Sequence, residues 1–178
     1  AANICFNTLN LLVADLDNDT TTELIIGSSQ IYTGLVRVLN AKDGSERFSK
    51  LLGDGDNISG LLVTDLNNDG ISEIIVGNGA EHTGSEGAFF TVLSGLNGDV
   101  LKQSPSLGFH WQGLTDLHAV LHQNGYAVYG LLGNNLYQYN YSNNTVQQLT
   151  NNAQYLQLTA VLAGGESQLV AGDNNGNL

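Results

Sequence analysis

The chain carries one seventeen-residue pattern twice, as LLVADLDNDTTTELIIG from Leu11 and LLVTDLNNDGISEIIVG from Leu61. In each copy, oxygen-bearing side chains fall at positions one, three, five and nine of a loop. They are Asp15, Asp17, Asp19 and Glu23 in the first copy, and Asp65, Asn67, Asp69 and Glu73 in the second. An apolar run follows each loop at once, Leu24-Ile25-Ile26 and then Ile74-Ile75-Val76. A duplicated acidic loop between short apolar runs constrains the fold to repeated β-hairpins.

Weaker copies extend the repeat. Val13-Ala14-Asp15-Leu16 aligns with Val63-Thr64-Asp65-Leu66, then Leu114-Thr115-Asp116-Leu117, then Leu158-Thr159-Ala160-Val161, at steps of 50, 51 and 44 residues. Such periods suit a four-stranded unit of a β-propeller. In the first unit, strands are expected near 9–14, 23–28, 35–40 and 46–50. The Asp43-Gly44 turn between the last two is a strong hairpin signal. The second unit repeats the plan through Gly95-Leu96-Asn97-Gly98, with an insertion across Gly79 to Gly87. The third keeps the hairpins and loses the acidic loop. The fourth holds two strands, near 156–162 and 168–171, around Gly164-Gly165. The expected fold is all-β, about three and a half propeller blades in a single domain (9–52, 60–104, 113–150 and an incomplete 156–178). A segment of a larger propeller is the preferred arrangement. A ring completed by another copy, or a small four-bladed ring, stays open.

Composition narrows the partners. With 5 basic and 17 acidic residues the net charge is −12, which argues against nucleic acid and anionic membrane. Seven of those acidic residues lie in the two loops, so bound cations would relieve much of the imbalance. No apolar run reaches membrane-spanning length. Cys5 is the single cysteine, so no intrachain disulfide forms. No leader or lipidation motif is evident. The chain starts Ala-Ala and lacks Met, as expected of a processed or excised piece. Acidic, Asn- and Gly-rich and poor in Lys, it reads as extracellular and bacterial.

The loops suit a hard cation. Ca²⁺ takes six to eight oxygens at about 2.3–2.6 Å, from carboxylates, amides, backbone carbonyls and water. Positions one, three, five and nine would offer side chains. Position seven, Thr21 or Ile71, would offer its backbone carbonyl, which tolerates isoleucine there. An EF-hand is rejected, because its loop has twelve residues between helices. Mg²⁺ keeps more water and uses fewer protein ligands, and zinc prefers His and Cys, absent from both loops.

These loops resemble the FG-GAP or VCBS repeats of integrin-α-type β-propellers, whose hairpin loops carry D-x-D-x-D-G-x-x-D. The resemblance is good over about Leu9 to Lys102. It implies Ca²⁺ between the first two strands of a blade, held by Asp15, Asp17, Asp19, Thr21 and Glu23, and by Asp65, Asn67, Asp69, Ile71 and Glu73. Two sites are thus expected. Glu stands for the family's Asp at position nine in both loops. Thr20 stands where Gly70 keeps the family glycine, so the first loop is expected to be strained. The Phe-Gly and Gly-Ala-Pro signatures are missing.

Other features read as ordinary structure. Val120 cannot supply a side-chain oxygen, so no calcium is expected at Asp116 and His118. His118 and His122 share a strand face and read as packing or surface residues. Asp173 to Gly176 reads as a polar turn. Tyr126, Tyr129, Tyr137, Tyr139 and Tyr141 read as half-buried sheet residues, with ligand contact, together with His110-Trp111-Gln112, as the sharper alternative. The sequons at Asn18, Asn57, Asn140 and Asn143 are expected by chance in an Asn-rich chain. No nucleophile elbow or phosphate loop is present. The expected function is a calcium-binding structural, adhesion or recognition module with no catalytic residue or organic cofactor. Its protein or glycan partner is not specified by the sequence. The alternatives are part of a lyase-like enzyme or lectin, and a subunit completed by further blades.

Overall fold

The computed structural model describes residues 9–30, 33–54, 56–80, 87–108, 110–122, 125–151, 155–163 and 166–173. Every regular element among them is a strand. β1 (Leu9–Ala14), β2 (Glu23–Gln30), β3 (Thr33–Asn40) and β4 (Glu46–Asp54) form one antiparallel sheet in chain order. β5 (Asp56–Thr64), β6 (Glu73–Ala80), β7 (Phe90–Ser94) and β8 (Val100–Gln103) form a second. β9 (Leu114–His122), β10 (Gly125–Leu132), β11 (Asn135–Asn140) and β12 (Thr145–Gln148) form a third. β13 (Tyr155–Ala163) pairs with β14 (Glu166–Asp173) alone. The fold is therefore all-β, built from meanders. Residues 81–86 of the expected insertion, Gly164-Gly165 and the turn after Asp173 lie outside the described residues.

The turns follow from local chemistry. Gly44 and Gly98 hold positive φ, 72° and 75°, in the β3–β4 and β7–β8 turns. There Asn40 and Ser94 each exchange backbone hydrogen bonds across the turn. The β11–β12 turn uses Asn144 at φ 56° for the same purpose.

Burial explains why β6, the strand after the second loop, is continuously apolar. Ile74 and Val76 face the first sheet and pack with Ile25, Val36, Val38 and Ile58. Ile75, one residue between them, points the other way, toward Leu114, Val128 and Tyr139 of the third sheet. A strand covered on both faces cannot alternate apolar and polar residues. A third cluster joins Val120, Ala127, Tyr129, Leu131 and Leu136 to Leu158 on β13. The core is thus three layers, one between each successive pair of sheets. Glycine permits the close approach. A Cβ on Gly77 would lie 2.4 Å from the Leu114 carbonyl oxygen. One on Gly27 would lie 2.8 Å from Ile58 and Leu61 side-chain carbons.

The tyrosines of the third sheet belong to this core. Tyr139 is fully buried and stacks on Phe90 with ring centroids 5.4 Å apart. Burial pushes its phenol up to about 12, with the Tyr141 phenol a smaller contribution in the same direction. Its hydroxyl donates to Asn144 Oδ1 at 2.8 Å, which satisfies the polar tip. Tyr129 receives Gln138 Nε2 at 2.9 Å, and its hydroxyl lies 2.9 Å from His122 Nε2. These contacts match the packing reading of the tyrosines and place His122 in a hydrogen bond. Asp116 also has a structural partner, because its Oδ2 accepts from the Leu158 backbone N–H at 3.0 Å and ties β9 to β13.

Candidate metal centre

The two acidic loops join β1 to β2 and β5 to β6, so each sits at one end of the first hairpin of its sheet. Their apolar second residues anchor them. Leu16 and Leu66 are buried in the layers between sheets. The loop backbone then folds around the position-one carboxylate. Asp15 accepts from the N–H groups of Asp19 at 3.2 Å and Thr20 at 2.9 Å. Asp65 does the same with Asp69 at 3.2 Å and Gly70 at 2.9 Å. Position five repeats the device on a smaller scale. Asp19 accepts from Thr21 N–H at 2.7 Å, and Asp69 from Ile71 N–H at 2.8 Å.

These turns demand left-handed backbone. Asn18 and Asn68 take it at φ 58° and 59°, as asparagine readily does. Gly70 takes φ 88° and Thr20 takes φ 71°. The strain expected at Thr20 is therefore present, since a β-branched residue is disfavoured there.

Position nine explains the Glu-for-Asp departure. Glu23 Oε2 accepts from Leu16 N–H at 3.0 Å, and Glu73 Oε2 accepts from Leu66 N–H at 2.7 Å. Both side chains are buried, 0% and 2% exposed. The longer side chain spans the mouth of the hairpin, and the second oxygen of Glu73 turns to the loop, to Asn67. Burial pushes the Glu73 carboxyl up, the Leu66 N–H opposes this, and the Asp69 and Asp65 charges push it further up.

Position three separates the loops. In the first, Arg47 on β4 places Nη2 2.6 Å from Asp17 Oδ2 and Nη1 2.7 Å from Glu23 Oε1. The bond from Arg47 holds the Asp17 carboxyl below its ordinary value, with burial opposing. In the second, Asn67 Nδ2 donates to Asp69 Oδ2 at 3.0 Å and to Glu73 Oε1 at 3.1 Å. Among the described residues, no basic side chain pairs with Asp65, Asp69 or Glu73. Lys102 sends its ammonium elsewhere, to the Tyr141 carbonyl at 2.6 Å and over the Tyr141 ring.

The first loop fits a hard cation. Asp15, Asp17 and Asp19 each bring a carboxylate oxygen to within 4.8 Å of the others. Two oxygens on one Ca²⁺ lie no farther apart than about twice the Ca²⁺–oxygen distance, so the three groups are within reach of one ion. Asp17 Oδ1 is buried without a well-aligned hydrogen bond, and Glu23 Oε1 has only the ion-pair contact, without an aligned N–H. Buried oxygens with free lone pairs call for a partner. Thr21 and Ile71 are half-buried at position seven of their loops. Arg47, on β4, is the residue at the first loop that sequence reading misses. Its signal is slight, one of only 5 basic residues in an acidic chain.

Residues 15–76 match the FG-GAP-like repeat family, a span that contains both acidic loops. The resemblance drawn from those loops is therefore shown over that span. No curated protein is significantly similar to the chain in sequence. Among solved structures, the V. cholerae biofilm matrix protein Bap1 matches 98% of this chain at a TM-score of 0.60 and 16% identity. The chain corresponds to 30% of that protein's length. The likeness is one of fold.

Proposed function

We propose that the chain is a calcium-stabilised segment of a β-propeller, serving as an extracellular structural or adhesion module. The observation that carries the calcium reading is the convergence of the Asp15, Asp17 and Asp19 carboxylates within 4.8 Å, beside a buried Asp17 Oδ1 with no well-aligned hydrogen bond. Asp15, Asp17, Asp19, Glu23 and the Thr21 carbonyl would hold one ion. Asp65, Asn67, Asp69, Glu73 and the Ile71 carbonyl would hold the other. Each ion would neutralise a loop whose carboxylates otherwise repel, and so fix the hairpin that seats one sheet on the next.

The propeller reading draws support from unequal burial of equivalent faces. In β6, Ile74 and Val76 are covered by the preceding sheet. Leu24 and Ile26, 50 residues earlier, are only half-buried. They pair with Val13 and Leu11, which are 62% and 52% exposed. The first sheet thus offers an apolar face of the kind the second sheet buries, and a further sheet would cover it. On this reading the units, about 9–52, 60–104, 113–150 and 156–178, are blades of one domain that continues in a larger ring. Among the described residues no helix is long and apolar enough to cross a membrane. The acidic composition and the likeness to a biofilm matrix protein support an extracellular setting.

Titration calorimetry with Ca²⁺ into chelator-stripped protein tests the reading. Two sites are expected, one lost in Asp15→Ala and the other in Asp65→Ala. Absence of calcium-dependent heat at both loops would sink it.

A further inference from the structure

We propose that Arg47 is a built-in counter-ion of the first loop, which weakens calcium there relative to the second loop. The proposal rests on the calcium reading above and adds a difference between the two sites.

The register of the sheets shows the difference to be positional. In the β3–β4 pair, Val38 faces Phe48 and Leu39 faces Glu46, so Arg47 is the extra residue of a β-bulge. In the β7–β8 pair, Val92 faces Lys102 and Leu93 faces Val100, so Leu101 is the extra residue of the equivalent bulge. A bulge re-aims its side chain out of the regular alternation. In the first sheet that side chain is a guanidinium lying on Asp17 and Glu23. In the second it is a leucine, 44% exposed, that offers no charge.

The loops change with it. The first has four carboxylates and Arg47. The second has three, with Asn67 in place of Asp17, and no guanidinium. Asp17 with Arg47 therefore stands for Asn67 with Leu101, an exchange that keeps the formal charge of loop plus bulge the same. The ligand sets differ. A cation entering the first loop must compete with a guanidinium for Asp17 and for Glu23, which is 1% exposed at the side chain. In the second it displaces only a neutral amide from Glu73 and Asp69. Charge-assisted pairs are about twice as strong as neutral hydrogen bonds. Arg47 also supplies the first loop with positive charge when calcium is scarce. The first loop thus keeps its fold over a wide range of calcium, and the second depends on the ion.

Calcium affinity measured loop by loop tests this. Asp65→Ala isolates the first loop and Asp15→Ala the second. The isolated second loop should bind about tenfold more tightly than the first, because ligand charge and its competitors set affinity. Arg47→Leu in the Asp65→Ala background should tighten the first loop by about tenfold or more, since four unpaired carboxylates then face the ion. In EDTA, Arg47→Leu alone should lower Tm by a few degrees and Arg47→Lys by less, as Lys lacks the two-armed geometry. The reverse exchange, Asn67→Asp with Leu101→Arg, should weaken the second loop. Should Arg47→Leu fail to fold, this last variant decides the matter. Unchanged or weaker calcium affinity at the first loop in Arg47→Leu overturns the proposal, as does an unchanged second loop in the exchange variant. A wild-type second loop that binds no Ca²⁺ while the first binds it also overturns the proposal, and failure of both loops overturns the calcium reading itself.

Discussion

Glu73 Oε2 accepts a hydrogen bond from the Leu66 backbone N–H at 2.7 Å, across the mouth of the second acidic loop. One carboxyl group thereby closes the hairpin with one oxygen and faces the loop with the other. It is buried, and no basic side chain among the described residues pairs with it.

That placement sets a pH dependence. The folded-state pKa of Glu73 is raised above its ordinary 4.5, chiefly by burial. Its contribution to stability is therefore fully present below pH 4.5 and is lost as pH rises through the folded pKa. In EDTA, Glu73 should make the wild type more stable as pH is lowered from 7 toward 4.5, and Glu73→Gln should remove that part of the slope. Asp17 acts in the opposite direction at lower pH, since its lowered carboxyl stabilises above its ordinary 3.8 and is lost as pH falls further. Chemical denaturation across pH measures both. With calcium bound the Glu73 trend should reverse, because a protonated ligand cannot hold the ion.

Asp65→Ala should abolish calcium binding at the second loop and leave the first intact, by titration calorimetry. The loops touch through one backbone bond, from Ser72 N–H to the Leu16 carbonyl at 2.8 Å. That bond uses no ligand side chain, so the first loop should keep its affinity within about threefold, because Asp65 and the first loop's ligands share no partner.

Thr20→Gly should stabilise the protein. A side chain in the left-handed region costs about 1–2 kcal/mol, and glycine gives back about 0.5–1 kcal/mol in chain entropy. The net gain expected in urea unfolding is about 0.5–1 kcal/mol. Gly70→Thr in the second loop should lose a similar amount.

Gly77→Ala should destabilise by about 1–3 kcal/mol, the usual range for overpacking. Its new methyl would meet the Leu114 backbone at 2.4 Å, and backbone cannot rotate away. Gly44→Ala has nothing within 4 Å of its Cβ, so it reports only the strain of positive φ. The loss at Gly77 should exceed the loss at Gly44 in the same denaturation assay.

The strands were legible because their signals are local. Apolar runs, an Asp-Gly turn and a 50-residue step place β1 to β4 and β5 to β8 within a few residues of where they lie. The loop ligands were legible for the same reason, since all fall within nine residues. Arg47 was not, because it lies 30 residues from Asp17 and reaches it only through a β-bulge. The Asp116 bond to Leu158 spans 42 residues and depends on how two sheets stack. Glu for Asp at position nine was seen as a departure. Its reason, a reach to the Leu16 and Leu66 N–H groups, needs three dimensions.

Thermal unfolding of one preparation in EDTA and in saturating Ca²⁺ tests the central claim most directly. A ligand that binds only the folded state at a hundred times its Kd adds about 2.7 kcal/mol per site. For a chain of this size that is about 5–10 °C in Tm for each filled loop. Such a rise is expected in the wild type, shrinking in Asp65→Ala. An identical Tm in EDTA and Ca²⁺ would contradict it.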